Sequence, residues 1–436
     1  MNVNSKILWV NHASMLIKKN NRFILTDPWD QTPAFSNLLA STPMSMHPAY
    51  LAALKDKLTI LISHNHTDHY DIKLLDIFDK NTLIILADLK CKSLYNQIKS
   101  LGFTNIKEIN NTETYALHDI KITGYINSND VHEDAIFAFD LGDGIAIHAN
   151  DHYYQWPQAA IDHLKPQIAK YQPEQVTLWG QAHSATGYPL NTTNLTDNEK
   201  RQIVIDTAKE MLRSELKTAA ALNITQYVSY AGFIAPYVPN HDNYRELVLL
   251  PTRETMLKIT EGDNELTQLI QKINILDIYP QDILEVASGE ITKSFVSNHN
   301  YTDQAIRQAT ATYYKKYKIE PEHEDSSNPP NAELIEKFCS EINKFVAQKL
   351  TGNNASFQIN CNDNVYQVCG DNADVVLTVN YNFLEKVIQH KMSFEDLYTG
   401  FLGQWTFKNP KTEYDNFIDC LMVFAHQYMI KNITLN

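Results

Sequence analysis

Three histidines and an aspartate occur within six residues of one another. They form the run His64-Asn65-His66-Thr67-Asp68-His69, which begins two residues after the apolar stretch Leu58–Ile62. That stretch is rich in β-branched residues, and we expect a strand buried on both faces. Ligands gather where the strands of an open α/β sheet end in loops. The run therefore stands where a binding site is expected.

The residue types in this run predict a metal centre. His64 and His66 are two residues apart and point the same way if the backbone is extended. Asp68 either caps the following helix or binds metal. Imidazole nitrogens and carboxylate oxygens suit zinc, iron or manganese. The alternative, a polar loop with histidines present by chance, is disfavoured because histidine is a scarce residue and a common metal ligand.

One segment cannot complete the ligand shells of two metals, so further ligands are expected at later strand ends. His132 lies between predicted strands at 120–122 and 136–139. Asp151 follows a predicted strand at 145–147, and a carboxylate there could bridge two metals. His148 and His152 are nearby rivals. Taken alone, each of these residues is more often an ordinary surface or core residue than a ligand.

The elements around these residues predict an α/β protein. Residues 1–180 alternate strands with short helices, which is typical of a layered sandwich. Residues 6–28 are expected to form two strands joined by a polar turn at 18–22. The longest helical pattern, at 193–222, begins with a capping box of Thr196 and Glu199. The Asn- and Pro-rich stretch 325–331 indicates a linker.

We therefore predict two domains. Residues 1–324 form the catalytic domain, and residues 331–436 form a small α+β appendage. The appendage is predicted to have a helix at 332–350, three short strands between 356 and 379, and helices from 382 onward.

The composition of the 436 residues excludes several classes of protein. The content of 44% hydrophobic and 20% charged residues is that of a soluble globular chain. The net charge of −14 makes nucleic acid a poor partner unless a local basic patch exists, and no run of five or more Lys or Arg occurs. The five cysteines form no C-x-x-C pair, and neither a signal peptide nor a membrane span is evident. We expect a cytoplasmic protein that acts on a small molecule and has no membrane partner, with a homo-oligomer as a further possibility.

The run H-x-H-x-D-H after a buried strand resembles the signature of the metallo-β-lactamase superfamily. That resemblance implies a four-layer αβ/βα sandwich with a mono- or dinuclear metal site. By the same resemblance, His64 and His66 are ligands of the first metal and Asp68 and His69 are ligands of the second. Asp27 corresponds to a family aspartate near the site.

A narrower resemblance connects the chain with the catalytic region of CMP-N-acetylneuraminate hydroxylases. It implies that His132 completes the first metal site and that Asp151 lies between the metals. The matching segments occur in the same order along nearly the whole chain: Asn11–Ser14, Thr26–Trp29, Pro33–Phe35, Ile62–His69, Asp130–Glu133, Ser184–Pro189, Tyr230–Phe233 and Asp396–Phe401.

The sequence departs from those hydroxylases in two places. They carry a Rieske domain, whose cluster needs paired Cys and His ligands, and no C-x-H…C-x-x-H pattern occurs here. An oxygenase of this kind would need electrons from a separate protein or from its substrate. The family also has a histidine shortly after the segment at Tyr230–Phe233, where Tyr237 or Val238 stands here. His241, a few residues later, is the candidate last ligand of the second metal.

Other residues could support the chemistry. His183, just before Ser184–Pro189, could contact substrate or act as a general base, as could Asp68. For His183 an ordinary loop role is equally compatible. His12 could orient the site as an outer partner of a ligand or have a structural role. The appendage resembles sterol-carrier-like modules at Ala373–Val379 and Phe394–Tyr398, although a packing or dimerisation role is preferred.

Three functions are compatible with the sequence. The first is a non-heme oxygenase with two divalent metal ions, iron favoured, acting on a nucleotide sugar or a small amide or amine. The second is a zinc or manganese hydrolase in which a metal-bound hydroxide attacks a phosphodiester, lactone or amide. The third is a scaffold with a degenerate site, which the intact histidine run disfavours. The first is preferred.

Overall fold

The computed structural model describes most of the chain. The described residues are 4–30, 32–42, 44–128, 133–151, 156–181, 186–237, 243–294, 303–317, 322, 330–350, 356–409 and 415–430.

The first sheet has eight strands in the order β17-β16-β1-β2-β3-β5-β6-β7. Its strands are β1 (Lys6–Asn11), β2 (Ser14–Lys19), β3 (Arg22–Thr26), β5 (Leu58–Ile62), β6 (Leu83–Ala87), β7 (Ile106–Ile109), β16 (Ile283–Glu285) and β17 (Ile291–Thr292). A separate pair joins β4 (Leu38–Ala40) to β14 (Ile234–Pro236). In the first sheet β3, β5, β6 and β7 run parallel, so their carboxyl ends meet at one edge.

The second sheet has seven strands in the order β15-β13-β12-β11-β10-β9-β8. They are β8 (Thr114–Leu117), β9 (Ile120–Ser128), β10 (Glu133–Asp140), β11 (Ile145–Asn150), β12 (Val176–Gln181), β13 (Gln226–Tyr230) and β15 (Asn274–Ile275). Here β11, β12 and β13 are parallel, and β11 also pairs antiparallel with β10.

Helices cover the outer faces of both sheets. They are α1 (Pro48–Ala52), α2 (Ile72–Asp76), α3 (Ser93–Ser100), α4 (Gln158–Ile168), α5 (Asp197–Ala221), α7 (Arg253–Thr260) and α8 (Asn264–Ile270). Two further helices, α6 (Asn243–Leu247) and α9 (Asp303–Tyr317), pack elsewhere. Leu74 and Ile98 pack on the first sheet, and Leu164 and Leu212 pack on the second. A third apolar cluster, with Trp9 and Trp179, fills the space between the sheets. The layers are therefore αβ/βα, as expected.

Two local predictions from the sequence are confirmed and one is wrong. The capping box of Thr196 and Glu199 begins α5, and the buried strand β5 has the predicted bounds. Residues 6–28 form three strands instead of two. The segment Ser14–Lys19 lies between β1 and β3 and is itself a strand, because a bend at His12-Ala13 reverses the chain. The predicted polar turn shrinks to the two residues between β2 and β3.

The C-terminal residues form a separate four-stranded sheet in the order β19-β18-β20-β21. Its strands are β18 (Phe357–Cys361), β19 (Asn364–Cys369), β20 (Val375–Val379) and β21 (Gly403–Phe407), and its helices are α10 (Ala332–Lys349), α11 (Tyr381–Ile388) and α12 (Asp415–Ile430). The prediction of helices alone after residue 382 is wrong, because the apolar alternation at Trp405 and Phe407 adds β21. The predicted boundary at 324–331 falls mostly outside the described residues and stays a prediction.

No helix among these described segments combines the length and the apolar character needed to cross a bilayer.

Helix α5 carries a buried acid into the core. The Glu215 side chain lies against β12, where a Cβ added to Gly180 would approach the Glu215 carboxyl carbon to 2.9 Å. Neither carboxyl oxygen of Glu215 has a hydrogen-bond partner among the described residues. Burial, and then the nearby carboxyl of Asp134, raises the pKa of Glu215 well above its usual range. The folded protein therefore holds the Glu215 proton to a higher pH than the unfolded chain does.

This raised pKa predicts a dependence of stability on pH. Between the pKa of an unfolded glutamate and the raised pKa of Glu215, the folded state holds up to one more proton than the unfolded state. Glu215 should therefore lower the free energy of unfolding as pH rises, by up to about 1.4 kcal/mol per pH unit. Glu215→Gln keeps the shape of the neutral acid and should flatten this slope between pH 5 and 8. Denaturant unfolding of both proteins across that range measures it. A slope unchanged by the substitution would contradict the prediction.

Candidate metal centre

The side chains of the site come from the carboxyl ends of strands in both sheets. Asp27 follows β3, the run 64–69 follows β5, and Asp151 follows β11. His12, Asp27 and Asn150 take positive φ angles of 29°, 38° and 43° at these ends. Residues other than glycine rarely adopt such angles, and they concentrate at functional sites.

The first group of converging donors contains His64, His66 and Asp151. Their ligand atoms lie within 4.8 Å of one another. His64 Nε2 lies 2.7 Å from His66 Nδ1 and 3.7 Å from Asp151 Oδ2. His66 Nδ1 lies 3.8 Å from the same oxygen. The group offers two imidazoles and one carboxylate to a single cation.

The second group contains His12, Asp68 and His69, again within 4.8 Å. His12 Nε2 lies 3.2 Å and His69 Nε2 lies 3.8 Å from Asp68 Oδ2. Asp151 Oδ2 is also 3.1 Å from His69 Nε2, so its carboxylate stands between the two groups. His12, for which an outer or structural role was expected, here faces the same space as Asp68 and His69.

Asp27 contacts His69 of the second group and other residues that adjoin the donors. Its Oδ1 accepts a hydrogen bond from the Ser63 backbone N–H at 2.7 Å. Its Oδ2 accepts one from Ser63 Oγ at 2.8 Å and lies 2.9 Å from His69 Nδ1 and 2.7 Å from His148 Nε2. His148 Nδ1 in turn contacts the Tyr230 hydroxyl. Burial alone would raise the pKa of Asp27, but the imidazoles of His148 and His69 hold it far below its usual range.

The charges of this site favour a cation. Burial opposes protonation of His69, yet the carboxylates of Asp151, Asp68 and Asp27 raise its pKa well above its usual range. Burial, together with the neighbouring imidazoles of His69 and His66, instead holds the pKa of His64 well below its usual range. Positive charge is therefore stabilised beside His69, where a divalent cation would supply it in place of a proton.

The residues present fit divalent metal ions. His12 Nδ1, Asp68 Oδ1 and Asp151 Oδ1 are buried and have no hydrogen-bond partner among the described residues. Such atoms are costly to bury unless something pairs with them. The donors are nitrogen and oxygen, as iron, zinc and manganese prefer.

Two acids near the site were not predicted from the sequence. Asp134, on β10, lies 3.5 Å from His64 Nδ1, and burial together with Asp151 raises its pKa to about 7. Glu395, from the C-terminal part, lies 3.6 Å from His66 Nε2. Burial lowers the pKa of His66, but the nearby carboxylates, Glu395 foremost, raise it to about 9. A buried acid inside an apolar strand was the available signal for Asp134; none pointed to Glu395.

Some of the predicted site residues lie close together in the structure, and others lie outside the described residues. It brings together His64, His66, Asp68, His69 and Asp151. His132, His183 and His241 lie outside the described residues, so their roles stay predictions.

The position of Asp27 predicts a supporting role in metal binding. Asp27→Asn keeps the size of the side chain but removes the charge that orients His69, so metal affinity should fall about 10–100-fold. Competition with a chromophoric chelator measures that affinity.

Asp30→Asn is the matched control. Asp30 is buried three residues further on and accepts a hydrogen bond from the Met44 backbone N–H at 2.8 Å. Burial raises the pKa of Asp30 to about 6, so an asparagine resembles its neutral form. We expect unchanged metal affinity in this variant. Equal losses in both variants would show that Asp27 contributes only to folding.

A family model and several known proteins match parts of this chain. Residues 6–167 match the family model described as beta-lactamase superfamily domain. A UPF0173 protein of Pyrococcus abyssi is 26% identical over 153 residues, which are 34% of this chain and 61% of that protein. The chain thus matches less than two thirds of the length of this relative.

Solved structures with similar chains include a possible metal-dependent hydrolase from Veillonella parvula, at 12% identity and a TM-score of 0.43, covering 65% of this chain and all of that one. Another is CmlA, a diiron β-hydroxylase from Streptomyces venezuelae, at 15% identity and a TM-score of 0.41, covering 65% of this chain and 55% of that one. At these scores neither structure supports an assignment of metal or substrate. The superfamily resemblance seen in the sequence is nevertheless confirmed over residues 6–167, because this stretch matches the beta-lactamase superfamily domain model.

Proposed function

We propose that this protein is a dinuclear metal-dependent enzyme and, more specifically, a non-heme iron oxygenase. The observation that supports the proposal is the composition of the two donor groups. Each consists of two imidazoles and one carboxylate, and Asp151 lies between them. Two histidines and one carboxylate, with positions left open, are typical ligands of non-heme iron oxygenases.

The donor side chains of the site differ in their exposure to solvent, which indicates where substrate would enter. The two donor groups would hold the iron, which when bound would supply dioxygen activation. The His64 and His69 side chains are 2% and 0% exposed, whereas those of His66 and Asp151 are 25% and 17% exposed. Substrate would therefore approach from the side of His66 and Asp151. Asp68, with one buried oxygen lacking a partner among the described residues, is the candidate acid–base group.

The substrate and the electron source belong to the proposal as well. The order of sequence segments shared with CMP-N-acetylneuraminate hydroxylases supports a nucleotide sugar or a small amide- or amine-bearing metabolite. Electrons would come from a separate protein or from the substrate.

A hydrolase is the second candidate, because two histidines with one carboxylate also hold catalytic zinc. The same sites would then activate water for attack on a phosphodiester, lactone or amide.

Metal reconstitution distinguishes these candidates. Metal-free protein is loaded under anaerobic conditions with Fe(II), Zn(II) or Mn(II), and metal per chain is measured. The oxygenase predicts two irons per chain, consumption of dioxygen when reductant is added, and a visible absorption band in the oxidised protein.

Control variants and a hydrolase assay complete the experiment. His64→Ala and His69→Ala should each lower iron content and dioxygen consumption. Turnover of phosphodiester or lactone probes by the zinc form without dioxygen, with an iron form inert to dioxygen, would replace the oxygenase by the hydrolase. Protein that takes up none of these metals would overturn both.

A further inference from the structure

We propose that Glu395, from the C-terminal part of the chain, is a positioning residue for the metal ligand His66. This inference rests on the proposed metal-dependent function and extends it. The C-terminal residues would then be a working part of the metal centre in addition to packing against it.

The two nitrogens of His66 face different partners. Nδ1 points into the first donor group, 2.7 Å from His64 Nε2 and 3.8 Å from Asp151 Oδ2. Nε2 lies 3.6 Å from Glu395 Oε1. An imidazole that binds metal through one nitrogen carries its proton on the other, and a carboxylate beside that N–H fixes both tautomer and ring orientation. The 3.6 Å separation is that of an ion pair, and closing it by about half an ångström gives a hydrogen bond.

Glu395 is buried beside His66, and the capping hydrogen bonds of its helix fix its backbone. It is only 6% exposed, and a buried carboxylate is costly without a cationic or hydrogen-bonding partner. It lies in the 3₁₀ helix Phe394–Leu397, whose Ser393 Oγ accepts a hydrogen bond from the Glu395 backbone N–H at 3.2 Å. Asp396 completes the capping box through the Ser393 backbone N–H at 2.9 Å.

The loop after this helix is fixed to the segment that carries His66. A Cβ added to Gly400 would lie 1.8 Å from the Phe35 carbonyl oxygen, so the two backbones are in direct contact. The Phe35 backbone N–H donates to Thr67 Oγ1 at 2.9 Å, and Thr67 directly follows His66. Asn37 Nδ2 donates to the Gly400 carbonyl at 2.9 Å. These contacts connect the loop after Glu395 to the residue after His66, and they therefore fix the position of Glu395 relative to His66.

A second junction holds the C-terminal sheet near the site. Thr193 N–H donates to the Trp405 carbonyl at 2.8 Å, and Trp405 N–H donates to the Asn191 carbonyl at 3.1 Å. Asn191 Nδ2 also donates to the Tyr398 carbonyl at 2.8 Å. These contacts join β21 and the 3₁₀ helix to residues 191–193 of the catalytic part, so Glu395 is carried on a fixed support.

The test uses the full chain with three substitutions. Glu395→Ala removes the carboxylate, and Glu395→Gln keeps an oxygen that can accept the His66 N–H. Asp374→Ala is the control: it removes hydrogen bonds to Ser356 at the start of β20 and leaves the helix of Glu395 intact. Zn(II) and Fe(II) affinities are measured by chelator competition. In the zinc form, ¹⁵N–¹H spectra of labelled histidine report whether His66 Nε2 carries the proton.

We expect Glu395→Ala to weaken binding of one of the two metals about 10–100-fold and to shift the His66 Nε2 signal. Glu395→Gln should restore part of that affinity. Asp374→Ala should lower the midpoint of thermal unfolding and leave metal affinity unchanged.

The opposite results would overturn the inference. These are wild-type affinity in Glu395→Ala with an unchanged His66 signal, or an equal loss of affinity in Asp374→Ala. Failure of the wild-type protein to bind either metal would overturn the proposed function itself, and is therefore a separate outcome.

Discussion

The mutual dependence of buried acids and imidazoles at the strand ends is the constraint on which the rest of the structure depends. Asp27, Asp68 and Asp151 surround His69, and each lies within 4 Å of one of its nitrogens. Buried carboxylates without positive partners would be costly. The same carboxylates stabilise positive charge beside His69, whether a metal cation or a proton supplies it.

The packing of the two sheets determines whether these groups can meet. Asp27 and His64 follow strands of the first sheet, whereas Asp151 follows a strand of the second. The distance between them is therefore set by the side chains between the sheets. Trp9 packs edge-on against Trp179 and Phe233, with ring centroids 5.7 and 5.2 Å apart. A close-packed interior of this kind transmits small displacements, so core residues far from the metals contribute to the geometry of the site.

Sequence reasoning succeeded where the signal was local and failed where it depended on tertiary contacts. The apolar strand β5 and the donors that follow it are contiguous in sequence, so spacing alone located them. The strand Ser14–Lys19 was missed because its polar end was assigned to a turn. Asp134 and Glu395 come next to the donors only through pairing of β10 with β11 and docking of the C-terminal part. No periodicity in the sequence carries that information.

The balance of charge favours two divalent cations over one. Five carboxylates lie around the two donor groups: Asp27, Asp68, Asp134, Asp151 and Glu395. Two divalent cations leave a single excess negative charge on these five carboxylates. One divalent cation would leave several buried charges uncompensated. Glu395 belongs to this balance, and the C-terminal part of the chain therefore contributes to the electrostatics of the metal centre as well as to its shape.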